Sequence, residues 1–251
     1  VGAVAAVAAV CAIAFVRPWA ADAPPVAAPE DAVVAPAPLL LPEQPRVLVF
    51  GDSWVYGSAA TEPTKGFAYL LRDVAGWDTV VDGVRGSGYL KDGIDGPSYG
   101  VRISALDPAL APDLVILEGS INDRRLHPAG YAEAVTAAWD TLVAIYPSAQ
   151  IVVLGPAPQV LPIEPATARI DRDLATFAAE RGWWYVSPIA EGWITESNYL
   201  DVIDTSEFGR DHPSTPGHAY LAERVAEAIT ALRGESAIVA DAPLDGELPD
   251  R

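Results

Sequence analysis

Five short apolar runs divide this chain: "RVLVF" (46–50), "DTVV" (78–81), "DLVILEG" (113–119), "QIVVLG" (150–155) and "WWYVSP" (183–188). Their apolar residues are continuous rather than alternating. That is the pattern of strands covered on both faces. Between the runs the apolar spacing turns helical. Tyr131, Val135, Ala138, Leu142 and Ile145 share one helical face, and Leu221, Val225, Ile229 and Leu232 repeat the pattern near the end. Strand–helix alternation predicts the α/β class, with a parallel sheet and helices on both sides. Ligands of such sheets sit outside the carboxyl ends of the strands, so chemistry is expected just after each run.

Four loops meet that description. "VLVFGDSWVYG" (47–57) ends the first run on Gly51, Asp52 and Ser53. The second run leads into "DGVRGSGY", with Gly83, Gly86 and Gly88, and the third into "EGSIND", with Asn122 and Asp123. "GRDHPSTPGH", with His212, precedes the last helical pattern. Together these groups fit acyl transfer. A serine is a poor nucleophile until a base takes its proton, and a histidine titrates near neutrality. The backbone N–H groups of Ser53 and Gly86 and the amide of Asn122 offer three donors to a tetrahedral oxyanion.

The same residues resemble the SGNH hydrolase family, the GDSL-like esterases and lipases, over residues 46–233. "GDSW" is similar to the first block, with Ser53 as nucleophile. Gly86 matches the second-block glycine, Asn122 the third-block asparagine, and His212 in "HPSTPGH" the fifth-block histidine. The resemblance implies a three-layer α/β/α sandwich of flavodoxin-like type around a five-stranded parallel sheet. It also implies no metal or other cofactor, and hydrolysis of carboxylic esters on lipid or carbohydrate. One position departs. The family's aspartate three residues before the histidine is Gly209 here. Asp211 is the favoured partner of His212, provided the loop bends. Asp204 and Glu207 are alternatives, as is a Ser–His dyad whose ring is held by a backbone carbonyl.

Other residues have plainer readings. Asp123 reads as a cap or loop tie, His127 as a surface or capping residue, and His218 as a satisfied, partly buried histidine. Trp183 and Trp184 read as core. Trp54 and Trp193, with Tyr56, are expected to form an apolar substrate-binding wall, and the Pro-rich loop 155–166 to border the site.

The chain holds 34 acidic and 16 basic residues, for a net charge of −18. That excludes a nucleic-acid partner and docking on anionic lipid. One cysteine, Cys11, and three histidines exclude an intrachain disulfide and give no metal-ligand spacing. Residues 1–17 begin with 16 apolar residues and predict a signal or membrane-anchor segment, which would be the protein's only membrane contact. Residues 18–45 read as a Pro/Ala-rich linker, 46–233 as the hydrolase domain, and 234–251 as a flexible acidic tail. The expectation is an exported, extracytoplasmic serine esterase or deacylase acting on a small-molecule, glycan or lipid ester. An O-acyltransferase on a cell-surface sugar and a non-catalytic tethered binding module are the alternatives.

Overall fold

The computed structural model describes residues 35–234. The expected signal segment, the linker up to residue 34 and the tail beyond Gly234 lie outside the described residues.

All five expected strands are present: β1 (Arg46–Gly51), β2 (Asp78–Gly83), β3 (Leu114–Glu118), β4 (Gln150–Leu154) and β5 (Trp184–Val186). They form one sheet in the order β2-β1-β3-β4-β5, and every neighbouring pair is parallel. Helices α1 (Ser53–Tyr56), α2 (Phe67–Ala75), α3 (Tyr99–Ser104), α4 (Tyr131–Ile145), α5 (Pro165–Glu180), α6 (Tyr199–Val202) and α7 (Thr215–Ala231) surround it. No helix among the described residues is long and apolar enough to cross a membrane.

The continuous apolar runs follow from two covered faces. Val47, Val49, Leu114, Ile116 and Val152 pack with Phe67 and Leu71 of α2 and with Leu221, Val225 and Ile229 of α7. The alternate residues Leu48, Phe50, Val115, Leu117 and Val153 pack with Ile103 of α3, Val135 and Leu142 of α4, and Ile170 and Leu174 of α5. Side chains alternate across a strand, so each apolar neighbour serves the opposite layer. The result is the α/β/α sandwich.

The chain passes from β1 to β2 on one side, then returns across β1 to β3. This reversal opens a crevice at the carboxyl ends of β1 and β3. Ser53 follows the first of those strands and Asn122 follows the second.

Two features depart from the sequence reading. The domain begins before Arg46. Leu39 and Leu41 are buried in the α2/α7 layer, while Leu40 between them is exposed, as in any extended segment with one covered face. The Leu39 N–H donates to Leu232 O at 2.8 Å, Gln150 holds both backbone groups of Leu40, and Trp184 Nε1 donates to Ala37 O at 2.8 Å. The end of the expected linker is thus a strap across the domain. The second departure is a two-residue antiparallel pair, β6 (Ile203–Asp204) with β7 (His212–Pro213), which sets Asp204 opposite His212.

Candidate active site

Strand β1 delivers Ser53 to the crevice through a turn with no spare room. A Cβ at Gly51 would collide with the Glu118 carboxylate and with Val55. Asp52 caps the single-turn helix α1, its Oδ1 accepting the Trp54 N–H at 3.0 Å. The helix stops at Gly57, whose φ of 88° is left-handed. Ser53 therefore begins a helical turn at the end of a buried strand, and its Oγ donates to His212 Nε2 at 2.9 Å.

His212 stands on β7, at the end of a loop that folds back through two consecutive left-handed residues, Arg210 (φ 50°) and Asp211 (φ 59°). Such a conformation costs a non-glycine residue about 1–2 kcal/mol. The bend turns two carbonyl oxygens toward the ring. His212 Nδ1 lies 2.9 Å from Gly209 O and 3.0 Å from Arg210 O. A carbonyl only accepts, so Nδ1 carries the proton and Nε2 is left to accept from Ser53.

Asp211 does not reach the ring. Its carboxyl hydrogen-bonds no group among the described residues and instead lines the cleft. The loop bends as the sequence required, but the bend presents backbone rather than the carboxylate. Asp204 accepts the Ser206 N–H at 2.9 Å as a turn cap, and Glu207 is exposed. Gly209 leaves no space for the missing acid, since a Cβ there would run into the side chain and carbonyl of Asp204.

The opposite wall comes from the loop after β2. Gly86 takes a φ of 75°, which suits glycine. Among the described residues neither its N–H nor that of Ser53 has an acceptor. Asn122, in the 3-10 turn Ile121–Arg125 after β3, is differently placed from the expectation. Its two amide protons go to Asp52 Oδ2 at 2.9 Å and Ser87 O at 3.0 Å, and none is left for an oxyanion. The side chain ties the loops after β1, β2 and β3 together. Asp123 ties the loops after β2 and β3, accepting from Tyr89 N, Leu90 N and Ser120 Oγ at 2.7, 3.1 and 2.6 Å.

Below the serine lies a buried ionisable cluster that the sequence reading passed over. Burial pushes the Asp52 carboxyl up to about 6, against the pull of the Trp54 N–H, His212 and Arg102. Glu118 accepts the Asp52 N–H at 3.2 Å, and burial followed by the Asp52 charge raises its carboxyl well above the usual range. Arg102 spans the strand ends, donating to Gly51 O, Ser87 Oγ and the backbone and carboxylate of Asp82 at 2.6–3.0 Å. Its sequence neighbourhood, a short helix in a Gly-rich stretch, gives no periodic signal of a buried cation.

The expected tryptophan wall is not there. Trp54 (3% exposed) and Trp193 (1%) belong to the α2/α7 core layer. On a helical turn the residue after Ser53 points about 100° away from it, into the core, whereas Tyr56, three on, shares its face and does line the cleft. His218 is buried, accepts the Phe67 N–H at 3.2 Å and donates to Ser58 O at 3.0 Å; burial pushes it down to about 4, so it is neutral. His127 accepts the Ala129 N–H at 3.1 Å on the surface.

Ser53 and His212 open onto a cleft of about 820 Å³. Gln159, Val160 and Glu164 of the Pro-rich loop form part of its wall, and Phe208 to Asp211 form another. Among the described residues no group of His, Cys, Asp or Glu is arranged to hold a metal ion.

The sequence and the fold have known counterparts. Residues 49–238 match the model of the GDSL-like Lipase/Acylhydrolase family. GDSL lipase Rv0518 of Mycobacterium tuberculosis is 32% identical over 127 residues, which cover 49% of this chain and 53% of that protein. The match thus spans about half the relative's length. An aryl esterase from M. smegmatis superposes with a TM-score of 0.57 at 19% identity, over 74% of this chain and 99% of its own. Est24, a carbohydrate acetylesterase from Sinorhizobium meliloti, does so with 0.53 at 16% identity, over 74% and 99%.

Proposed function

Because the chain belongs to the GDSL-like lipase/acylhydrolase family, we propose that it is a serine ester hydrolase working through a Ser53–His212 dyad. Ser53 Oγ attacks the acyl carbonyl while His212 Nε2 takes its proton. The imidazolium so formed keeps its Nδ1–H on the carbonyls of Gly209 and Arg210. The free N–H groups of Ser53 and Gly86 receive the developing oxyanion. His212 then returns the proton to the leaving alcohol, and water repeats the sequence to release the acid. The apolar residues 1–16 support an extracytoplasmic site of action.

The observation that carries this reading is the 2.9 Å contact between Ser53 and His212 at the floor of an open cleft. A decayed binding module has no need to keep it. A fluorophosphonate probe should label the protein once, at Ser53, and Ser53→Ala should abolish both labelling and hydrolysis of p-nitrophenyl acetate. Labelling at another serine, or unchanged turnover by the variant, would overturn the proposal.

A further inference from the structure

The cleft is charged against the trend of the chain. The sequence holds 34 acidic residues and 16 basic ones. Among the described residues, however, the cleft is lined by five of the bases and only two of the acids. Two of the five are neutralised. Arg85 is held by both oxygens of Asp95 at 2.6 and 2.9 Å, and Arg124 by Glu164 at 2.7 Å with Gln159 alongside. Lys91, Arg125 and Arg210 are not. Lys91 Nζ donates to the carbonyl of Gly86 at 3.0 Å and meets no carboxylate, while Arg125 and Arg210 are exposed and form no ion pair or hydrogen bond through their side chains among the described residues. Glu164 feels Arg125 only beyond its contact with Arg124. Asp211 is the one acid left to face three cations.

The placement of these three is specific. Lys91 reaches back to the loop whose Gly86 N–H faces the reacting carbonyl. Arg125 follows Asn122 in the turn after β3, and Arg210 lies two residues before His212. They come from three different loops around one reacting centre. In a protein of net charge −18, three such cations form a local positive field where the substrate must lie. Guanidinium groups without partners suit carboxylate or phosphate oxygens. Exposed apolar side chains, Ile94, Leu126 and Phe208, line the same cleft and can cover the rest of such a molecule.

We propose that the substrate is an anionic ester, one that carries a carboxylate or phosphate group bound by Lys91, Arg125 and Arg210. The proposal rests on the reading of Ser53 and His212 as the acyl-transfer pair and names the substrate class for that pair. It also gives the chain's acidity a role: the rest of the surface repels the anion that the cleft attracts.

Matched pairs of esters test it. Mono-4-nitrophenyl succinate against 4-nitrophenyl butyrate places the charge on the acyl side. On the alcohol side, 3-acetoxybenzoate and 3-acetoxyphenyl phosphate are compared with methyl 3-acetoxybenzoate. At low ionic strength at least one anionic ester should exceed its neutral partner in kcat/KM by about tenfold or more. The ratio should fall as salt is raised. Arg125→Gln and Arg210→Gln, at exposed positions, should each reduce it, and together reduce it further, to what Lys91 alone supports. Which pair shows the effect tells carboxylate from phosphate and acyl from alcohol side. Equal or slower turnover of every anionic ester, with the neutral esters still hydrolysed, would overturn the anion proposal and leave the esterase standing. No turnover of any ester and no labelling of Ser53 would overturn both.

Discussion

The Nδ1 of His212 is held at 2.9 Å by the carbonyl oxygen of Gly209 rather than by a carboxylate. A carbonyl fixes the tautomer as well as an acid does, but it brings only a partial charge to the imidazolium that forms during attack. The nearest buried acid is on the other side, where Asp52 Oδ1 lies 3.5 Å from Ser53 Oγ and its charge is felt at His212. In the proposed mechanism, orientation and charge compensation, which one aspartate supplies in a triad, are thus divided between backbone and Asp52.

It follows that Asp211 is dispensable for the proton transfer. Asp211→Ala and Glu207→Ala should each leave kcat/KM for a neutral aryl ester within about tenfold of the parent, whereas His212→Ala should lose about three orders of magnitude or more. A loss of several orders in Asp211→Ala, with an unchanged melting temperature, would show that the carboxylate swings onto the ring when substrate binds.

The Asp52 carboxyl gives stability a particular pH dependence. Folding moves it from an ordinary 3.8 to about 6. The folded state therefore binds the extra proton between those values, and stability falls as pH rises through that window. Glu118, raised by burial and then by the Asp52 charge, has the same sign. The carboxyls held below their usual range have the opposite sign, Asp95 and Asp204 acting below 3.8 and Glu164 below 4.5. His218, pushed from 6.5 down to about 4, has the opposite sign over an overlapping range, so the Asp52 effect is read as a difference between parent and variant. Relative to Asp52→Asn, the parent's melting temperature should be higher at about pH 5.5 than at about pH 7.5. A parent-minus-variant difference that grows toward pH 7.5 would contradict this placement of Asp52.

The sheet was legible because its signal is local and repeated. Each strand is a continuous apolar run, and the register follows once both faces are covered. The positions of Ser53, Gly86 and His212 were legible because the α/β architecture sends strand ends to one edge. What failed depended on direction rather than position. Trp54 adjoins the nucleophile in sequence, yet a helical turn sends it into the core. Asp211 adjoins His212, yet two left-handed residues turn the carbonyls of Gly209 and Arg210 to the ring and leave Asp211 on the cleft wall. Lys91, Arg125 and Arg210 lie far apart in the chain, and no spacing rule brings them to one cleft. Leu39 and Leu41 were hidden by the Pro/Ala-rich composition around them.

Those two leucines carry a prediction of their own. Burying a leucine stabilises by about 1.5–3 kcal/mol, and the strap adds the Leu39 and Leu40 hydrogen bonds. A chain of residues 44–251 should fold and hydrolyse p-nitrophenyl acetate, but melt about 10 °C below a chain of residues 35–251. Equal melting temperatures would mean that the strap adds nothing to the domain.

Asn122 offers the sharpest separation of two roles. As a direct oxyanion donor it would act independently of Asp52, and removing it would cost about 100- to 1000-fold in kcat. In the structure its two protons are bound to Asp52 Oδ2 and Ser87 O, so it acts instead as a brace that sets Gly86 against Ser53. A brace and its anchor are one unit, and their losses do not add. Asn122→Ala and Asp52→Asn should each lower kcat, and the double variant should be more active than the product of the two losses predicts by about tenfold. Losses that multiply within error would show that Asn122 releases Ser87 and donates to the oxyanion itself. Retention of the melting temperature in Asn122→Ala, beside its lost kcat, would point the same way, because a buried Asp52 oxygen deprived of its donor should cost about 1–3 kcal/mol of stability.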